Sequence, residues 1–154
     1  MDKWLTRWQE LKGKHPKALL YTISALLPMT IMLVVWFFMG SYPFGNKSLM
    51  AVDFGQQYIS FFGLLKHAVL TGDLSSLTYS FTKSLGGDMI GVLGYYLMSP
   101  FNIFYILIPF KHYGLAVFLT IWLRYGAIGL SFSYFLIKRY KGAESRVWLS
   151  LIHI

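Results

Sequence analysis

Apolar and polar positions divide the chain into stretches of distinct character. Trp4, Leu5, Trp8 and Leu11 recur at helical spacing among Lys3, Arg7, Lys12 and Lys14. This predicts a basic amphipathic leader over 1–17, a short helix lying on the inner leaflet; a solvated leader is the alternative. Ala18 to Met39 then runs without a charge. At about 1.5 Å per residue it is long enough to cross about 30 Å of hydrocarbon. Pro16 suits its start, and Pro28 is a point for a kink. The long leader, the extended apolar run and the lack of a small-x-small cleavage site favour a retained anchor (18–39) over a signal peptide.

The stretch 40–90 is mixed. Gly40, Pro43, Gly45 and Asn46 predict a turn-rich exit, with Tyr42 and Phe44 at the depth of an interfacial aromatic belt. Tyr58 to Leu70 puts Tyr58, Phe61, Phe62, Leu65 and Val69 on one helical face and Ser60 and His67 on the other. That helix is too short and polar to span, so 40–90 is expected to be an extracytoplasmic loop with interfacial helices. Thr71-Gly72-Asp73 ends the first of these helices, and Leu74 to Ser84 predicts a second, short one. Gly86-Gly87 allows close backbone approach or a positive φ before Asp88. Residues 91–110 are apolar but broken by Gly94, Ser99-Pro100, Asn102 and Pro109, whereas 114–137 is a longer run with Arg124 near its middle. In 138–154, Lys138, Arg139, Lys141 and Arg146 face only Glu144.

Composition turns these runs into a membrane assignment. The 154 residues are 56% hydrophobic and 13% charged, with a mean hydropathy of +0.53, well beyond a soluble domain. The net charge of +8 sits beside apolar segments, as topology signals do. No basic groove with interleaved aromatics lies outside them, so nucleic acid is not an expected partner. Cysteine is absent, which excludes disulfides and thiolate metal sites. Hydropathy alone gives three spans, but the positive-inside rule wants both basic ends in the cytoplasm. A re-entrant or short membrane segment over 91–110 reconciles the two. The expected class is therefore an all-α integral membrane protein with two to three transmembrane helices and an outer loop of interfacial helices. Its location would be the plasma membrane, with the N-terminus cytoplasmic. The apolar run beginning at Val147-Trp148-Leu149 suggests a fragment of a longer protein. The final Ser150-Leu151-Ile152-His153-Ile154 resembles translated adapter sequence.

Most acids and amides of the chain gather between Ala51 and Asn102. Asp53 follows the first span at headgroup depth, where partial desolvation raises a carboxyl toward a base's working range. It also stands ahead of Gln56 and an apolar helical face, as a helix cap does. Asp88 can act as a second carboxylate or cap the segment from Met89. Gln56 and Gln57 offer amides for sugar hydroxyls or for solvent. Tyr95 and Tyr96 can stack on a pyranose or hold the interface. Arg124 in mid-membrane marks either a phosphate contact or a structural pairing. Lys66 and His67 read as solvated, with phosphate contact as the alternative. The four histidines form no His-x-x-x-His pair, and no Walker loop, Rossmann glycine pattern or nucleophile elbow is present.

Three blocks in order carry a resemblance: Asp53-x-x-Gln56-Gln57-Tyr58, Gly86-Gly87-Asp88, and Tyr95-Tyr96-x-x-Ser99-Pro100-Phe101-Asn102. Together they resemble the YfhO family of bacterial membrane proteins, over roughly Asp53 to Ile137. Members are similar to the C-type glycosyltransferases (GT-C), large polytopic enzymes with lipid-linked donors, and some are associated with teichoic-acid glycosylation. The resemblance implies the N-terminal part of a GT-C-type fold. It implies a polyprenyl-phosphate-linked sugar as donor and a cell-envelope polymer as acceptor, in contact with membrane lipid. Asp53 and Asp88 become the catalytic candidates. Gln56, Gln57, Tyr58, Gly86, Gly87, Tyr95, Tyr96, Asn102 and Arg124 become the substrate-binding ones. A divalent metal is the cofactor left open, with Asp53 as its ligand. Two rival readings are a lipid or polysaccharide transporter and a non-catalytic membrane scaffold. The transporter predicts charges along a path through several helices, and only Arg124 fits that pattern.

Overall fold

A computed structural model describes residues 16–81, 83 and 85–140. The predicted interfacial leader, up to residue 15, and the C-terminal stretch from 141 lie outside the described residues. In chain order, α1 (Pro16–Met39) is followed by a π-helical turn, Phe54–Tyr58, that leads into α2 (Ile59–Thr71). A 3-10 turn at Leu74–Leu77 precedes an antiparallel hairpin of β1 (Tyr79–Ser80) and β2 (Gly87–Asp88), with Tyr79 opposite Asp88. Then α3 (Ile90–Val92) continues as a second π-helical turn, Leu93–Leu97. A 3-10 turn at Pro100–Asn102 enters α4 (Ile103–Leu107), and another at Phe110–His112 enters α5 (Tyr113–Arg139). The architecture is an all-α membrane one. Lys17–Met39 and Phe110–Arg139 are each long and apolar enough to cross a bilayer.

One expectation changes. The second surface helix stops at Leu77, after a single 3-10 turn, and Tyr79–Ser80 extends into the hairpin. Gly86 makes its turn possible at φ +106, where an added Cβ would meet the Tyr79 hydroxyl at 2.7 Å. The apolar run 91–110 divides at Ser99-Pro100 into two helices, Ile90–Leu97 and Pro100–Leu107, meeting at 88°. The cause is local. Pro100 pushes the preceding Ser99 out of the helical region, to φ −71 and ψ 131.

The chain divides into two compact units. The first comprises α1 through Val35 and α5 from Trp122 onward. Here Pro28 has no N–H to give the carbonyl of Ser24, one turn earlier. Gly129 of α5 lies directly against that carbonyl, and any Cβ there would overlap the oxygen. The glycine's Cα–H points where that Cβ would be, a weak but fitting donor. About two turns back along α5, Trp122 Nε1 donates to the Met29 carbonyl at 3.1 Å.

The second unit is Trp36–Ile121. Its core gathers Phe62, Leu65 and Ala68 from α2 with Leu97, Tyr105, Tyr113, Ala116 and Val117. Phe62 and Tyr105 stack with centroids 3.9 Å apart and planes 3° off parallel. The buried face of α2 is centred on Phe62 and Leu65 and includes the small Ala68, while Val69 stays 45% exposed. This is a rotation of the face expected from sequence, toward the fully buried Ala68. Lys66 is not left to solvent. Its ammonium donates to the Ile108 carbonyl at 2.6 Å and sits 5.5 Å from the Phe110 ring and 5.9 Å from the Tyr113 ring.

Candidate functional site

The candidate site begins with a strained residue. Val52 has φ +49, a left-handed conformation that a β-branched side chain adopts at a cost of about 1–3 kcal/mol. It is 75% exposed, so no packing of its side chain compensates. The strain turns the chain into Asp53 and the first π-helical turn, where the Gln56 N–H donates to the Val52 carbonyl at 3.1 Å. Asp53 is exposed and has helical dihedrals, φ −58 and ψ −29, and its side chain makes no capping hydrogen bond. The carboxylate is thus presented outward instead of closing the helix end. Gln56 and Gln57 follow it, both exposed on the same turn.

The π turn carries Tyr58 to the second π turn, which carries Tyr95 and Tyr96. The Tyr96 hydroxyl donates to the Tyr58 hydroxyl at 3.3 Å, with ring centroids 4.4 Å apart. Tyr95 packs edge-on against Tyr96 at 4.4 Å and is itself 79% exposed. Phe54 meets Tyr58 at 5.6 Å, and Phe61 stacks on Tyr96 at 5.8 Å. Tyr96 lies outside the two long spanning helices. Its phenol is pushed up to about 12, first by the hydrogen bond with Tyr58, then by burial. The neighbouring Tyr58 and Tyr95 and the charge of Asp53 act in the same direction. The Tyr58–Tyr96 contact thereby joins the stretch that begins at Asp53 to the stretch Tyr95–Tyr96, far away in sequence. Together the two stretches offer an acceptor for a proton and an exposed aromatic face.

Asn102 supports this cluster from below. It is 2% exposed, and its amide donates to the carbonyls of Tyr96 at 2.7 Å and Leu97 at 3.0 Å. Those carbonyls end the second π turn, and Asn102 fixes them. Its donors are engaged within the fold, so its geometry is that of a positioning residue. Asp88 sits elsewhere, in the hairpin. Its Oδ1 accepts from the Ile90 N–H at 3.1 Å, the capping arrangement, and its main-chain carbonyl accepts from Lys83 Nζ at 2.6 Å. Gly86 and Gly87 shape that hairpin. Arg124 is half-buried within α5 and belongs to the first unit, whereas the Asp53 cluster lies wholly in the second.

Sequence reasoning gives no site role to Val52, Phe54 or Phe61. The spacing of Phe54, Tyr58 and Phe61 along one helical face was a usable signal, but nothing in the residue type of Val52 announces its backbone. The fit of a metal is poor: among the described residues no three of His, Cys, Asp and Glu come together as a ligand set. Asp53 alone does not make a site of the oxygen-rich kind that divalent cations require.

No curated protein and no solved structure matches the chain. A family model described as bacterial membrane protein YfhO matches residues 24–153, a stretch that contains α1 from Ser24 onward, all of α5, both π turns and the hairpin. The chain therefore belongs to the YfhO family of bacterial membrane proteins.

Proposed function

We propose that the protein is the N-terminal part of a GT-C-like membrane glycosyltransferase. In this reading it moves a sugar from a polyprenyl-phosphate donor to a cell-envelope polymer, such as a teichoic acid, on the outer face of the bacterial plasma membrane. α1 and α5 cross the bilayer with the N-terminus inside. The bent pair Ile90–Leu97 and Pro100–Leu107 lies at the outer interface without crossing. The observation that carries the proposal is the uncapped, exposed Asp53 at the start of the π turn that ends in Tyr58, which bonds to Tyr96 next to the exposed Tyr95.

The chemistry follows from those groups. Asp53 accepts the proton of an acceptor hydroxyl as that oxygen bonds to the anomeric carbon. The bond from the anomeric carbon to the donor phosphate breaks, and its electron pair leaves with the phosphate. The pyranose ring stacks on Tyr95, and Gln56 and Gln57 hydrogen-bond its hydroxyls. Asp88 serves by holding the hairpin.

The test is sugar transfer by the full-length protein in membranes, with Asp53→Asn compared to wild type at matched expression. Loss of transfer by a folded variant is the expected result. Unchanged transfer removes Asp53 from catalysis. A wild-type protein that moves lipid across the bilayer without transferring sugar would make it a transporter.

A further inference from the structure

A second feature lies on the polar face of α2. Ser60, Phe61, Leu64 and His67 of that helix, with Lys83 of the hairpin and Met89, line a cavity of about 330 Å³. Among the described residues its polar lining is a hydroxyl, an imidazole and an ammonium, with no carboxylate side chain. Lys83 is held in place rather than waving in solvent. Its Nζ donates to the Asp88 carbonyl at 2.6 Å, and its stem packs over Gly87, where an added Cβ would lie 3.3 Å from Lys83 Cδ. One ammonium N–H serves the carbonyl, and two remain for a ligand. Phe61, Leu64 and Met89 make the other wall apolar. Phe61 also stacks on Tyr96, so the cavity and the Asp53 cluster share a wall.

We infer that this cavity binds a phosphate ester carried on an apolar stem, with Lys83, His67 and Ser60 on the phosphate oxygens. A fixed ammonium and an imidazole favour an anion, and charge-assisted bonds to phosphate are strong. The apolar wall favours a chain attached to it over a free, fully hydrated ion. The assignment of this phosphate to a sugar donor rests on the glycosyltransferase reading; the binding itself does not.

The test uses the full-length protein in non-ionic detergent, with dodecyl phosphate as probe and binding read by phosphorus NMR. Saturable binding is expected. Lys83→Gln and His67→Gln each weaken it by about tenfold, the scale of one hydrogen bond to a charged group. Lys83→Arg, which keeps the charge and the carbonyl bond, retains it. Inorganic phosphate identifies the source. Full displacement at millimolar concentration assigns the site to soluble phosphate groups, and failure to displace assigns it to lipid-borne ones. Absence of saturable binding, or unchanged affinity in the Lys83→Gln/His67→Gln double variant, overturns the inference. Binding by a protein that transfers no sugar removes only the transferase reading. Transfer that survives loss of binding removes only this site.

Discussion

The hydroxyl of Tyr96 donates to that of Tyr58 at 3.3 Å, and this bond joins the two π-helical turns found among the described residues. Such turns are rare in helices and concentrate at functional sites. Here each carries one half of an aromatic pair, so each turn fixes the other's position.

The bond sets a pH dependence. Tyr96 donates only while protonated, which raises its phenol from an ordinary value of 10.0 to about 12. A raised folded pKa contributes stability that is complete below about pH 10 and is lost as pH rises through about 12. Tyr58→Phe keeps the ring and removes the acceptor. Ultraviolet titration of the tyrosines should then show one phenol ionising nearer to pH 10 than in wild type. An unchanged titration curve would mean that the two hydroxyls are not coupled.

Val52 holds its left-handed backbone without packing to compensate. Val52→Gly relieves that strain while making the unfolded chain more flexible, for a net gain of about 1 kcal/mol in stability. Chemical unfolding measures the gain. Sugar transfer should fall in the same variant, because a looser residue 52 no longer aims Asp53.

The two aspartates should separate in their effect on stability. Asp53 makes no capping bond, so Asp53→Ala should stay within about 0.5 kcal/mol of wild type. The Asp88 carboxylate accepts from the Ile90 N–H, and Asp88→Ala should cost about 1 kcal/mol. Equal losses in thermal unfolding would contradict this division of roles.

Asn102 should be costlier than either. Asn102→Ala removes two donors from buried carbonyls, for a loss of about 2 kcal/mol. The variant should also perturb the near-ultraviolet signal of the tyrosines, since Tyr96 loses its support. A stability change without that spectral change would assign Asn102 to the core alone.

Gly129→Ala should separate the first unit's helices. The new methyl overlaps the Ser24 carbonyl. Engineered cysteines at Ala25 and Gly126 would report the helix spacing by cross-linking, with lower yield expected in the Gly129→Ala background. Ala127→Gly, also on α5 but away from that carbonyl, serves as the control.

Much of this fold was legible in order of hydrophobicity. The long uncharged run to Met39 and the run through Arg124 appear as α1 and α5, and Ser99-Pro100 breaks the run between them. The hairpin was missed because Leu74 to Ser84 has a helix-compatible composition, while its extended form depends on the Gly86 turn and on pairing with Asp88. Lys66 read as solvated because its partners, Ile108, Phe110 and Tyr113, lie more than forty residues away. Gathering of Asp53 with Tyr58, Tyr95 and Tyr96 follows the order of the sequence blocks. The π turns that bring the tyrosines together leave no mark in residue type.

The proline of α1 has a consequence beyond its own helix. Hydrocarbon chains and leucines are interchangeable neighbours for a helix in lipid, so apolar surface says little about how far one helix is slid along another. A bare carbonyl does say so. Displace α5 by one turn and the Ser24 oxygen faces a side chain or a lipid tail instead of Gly129. The vacancy that Pro28 leaves in one hydrogen-bond ladder thereby becomes an index mark, read by a single glycine on the neighbouring helix.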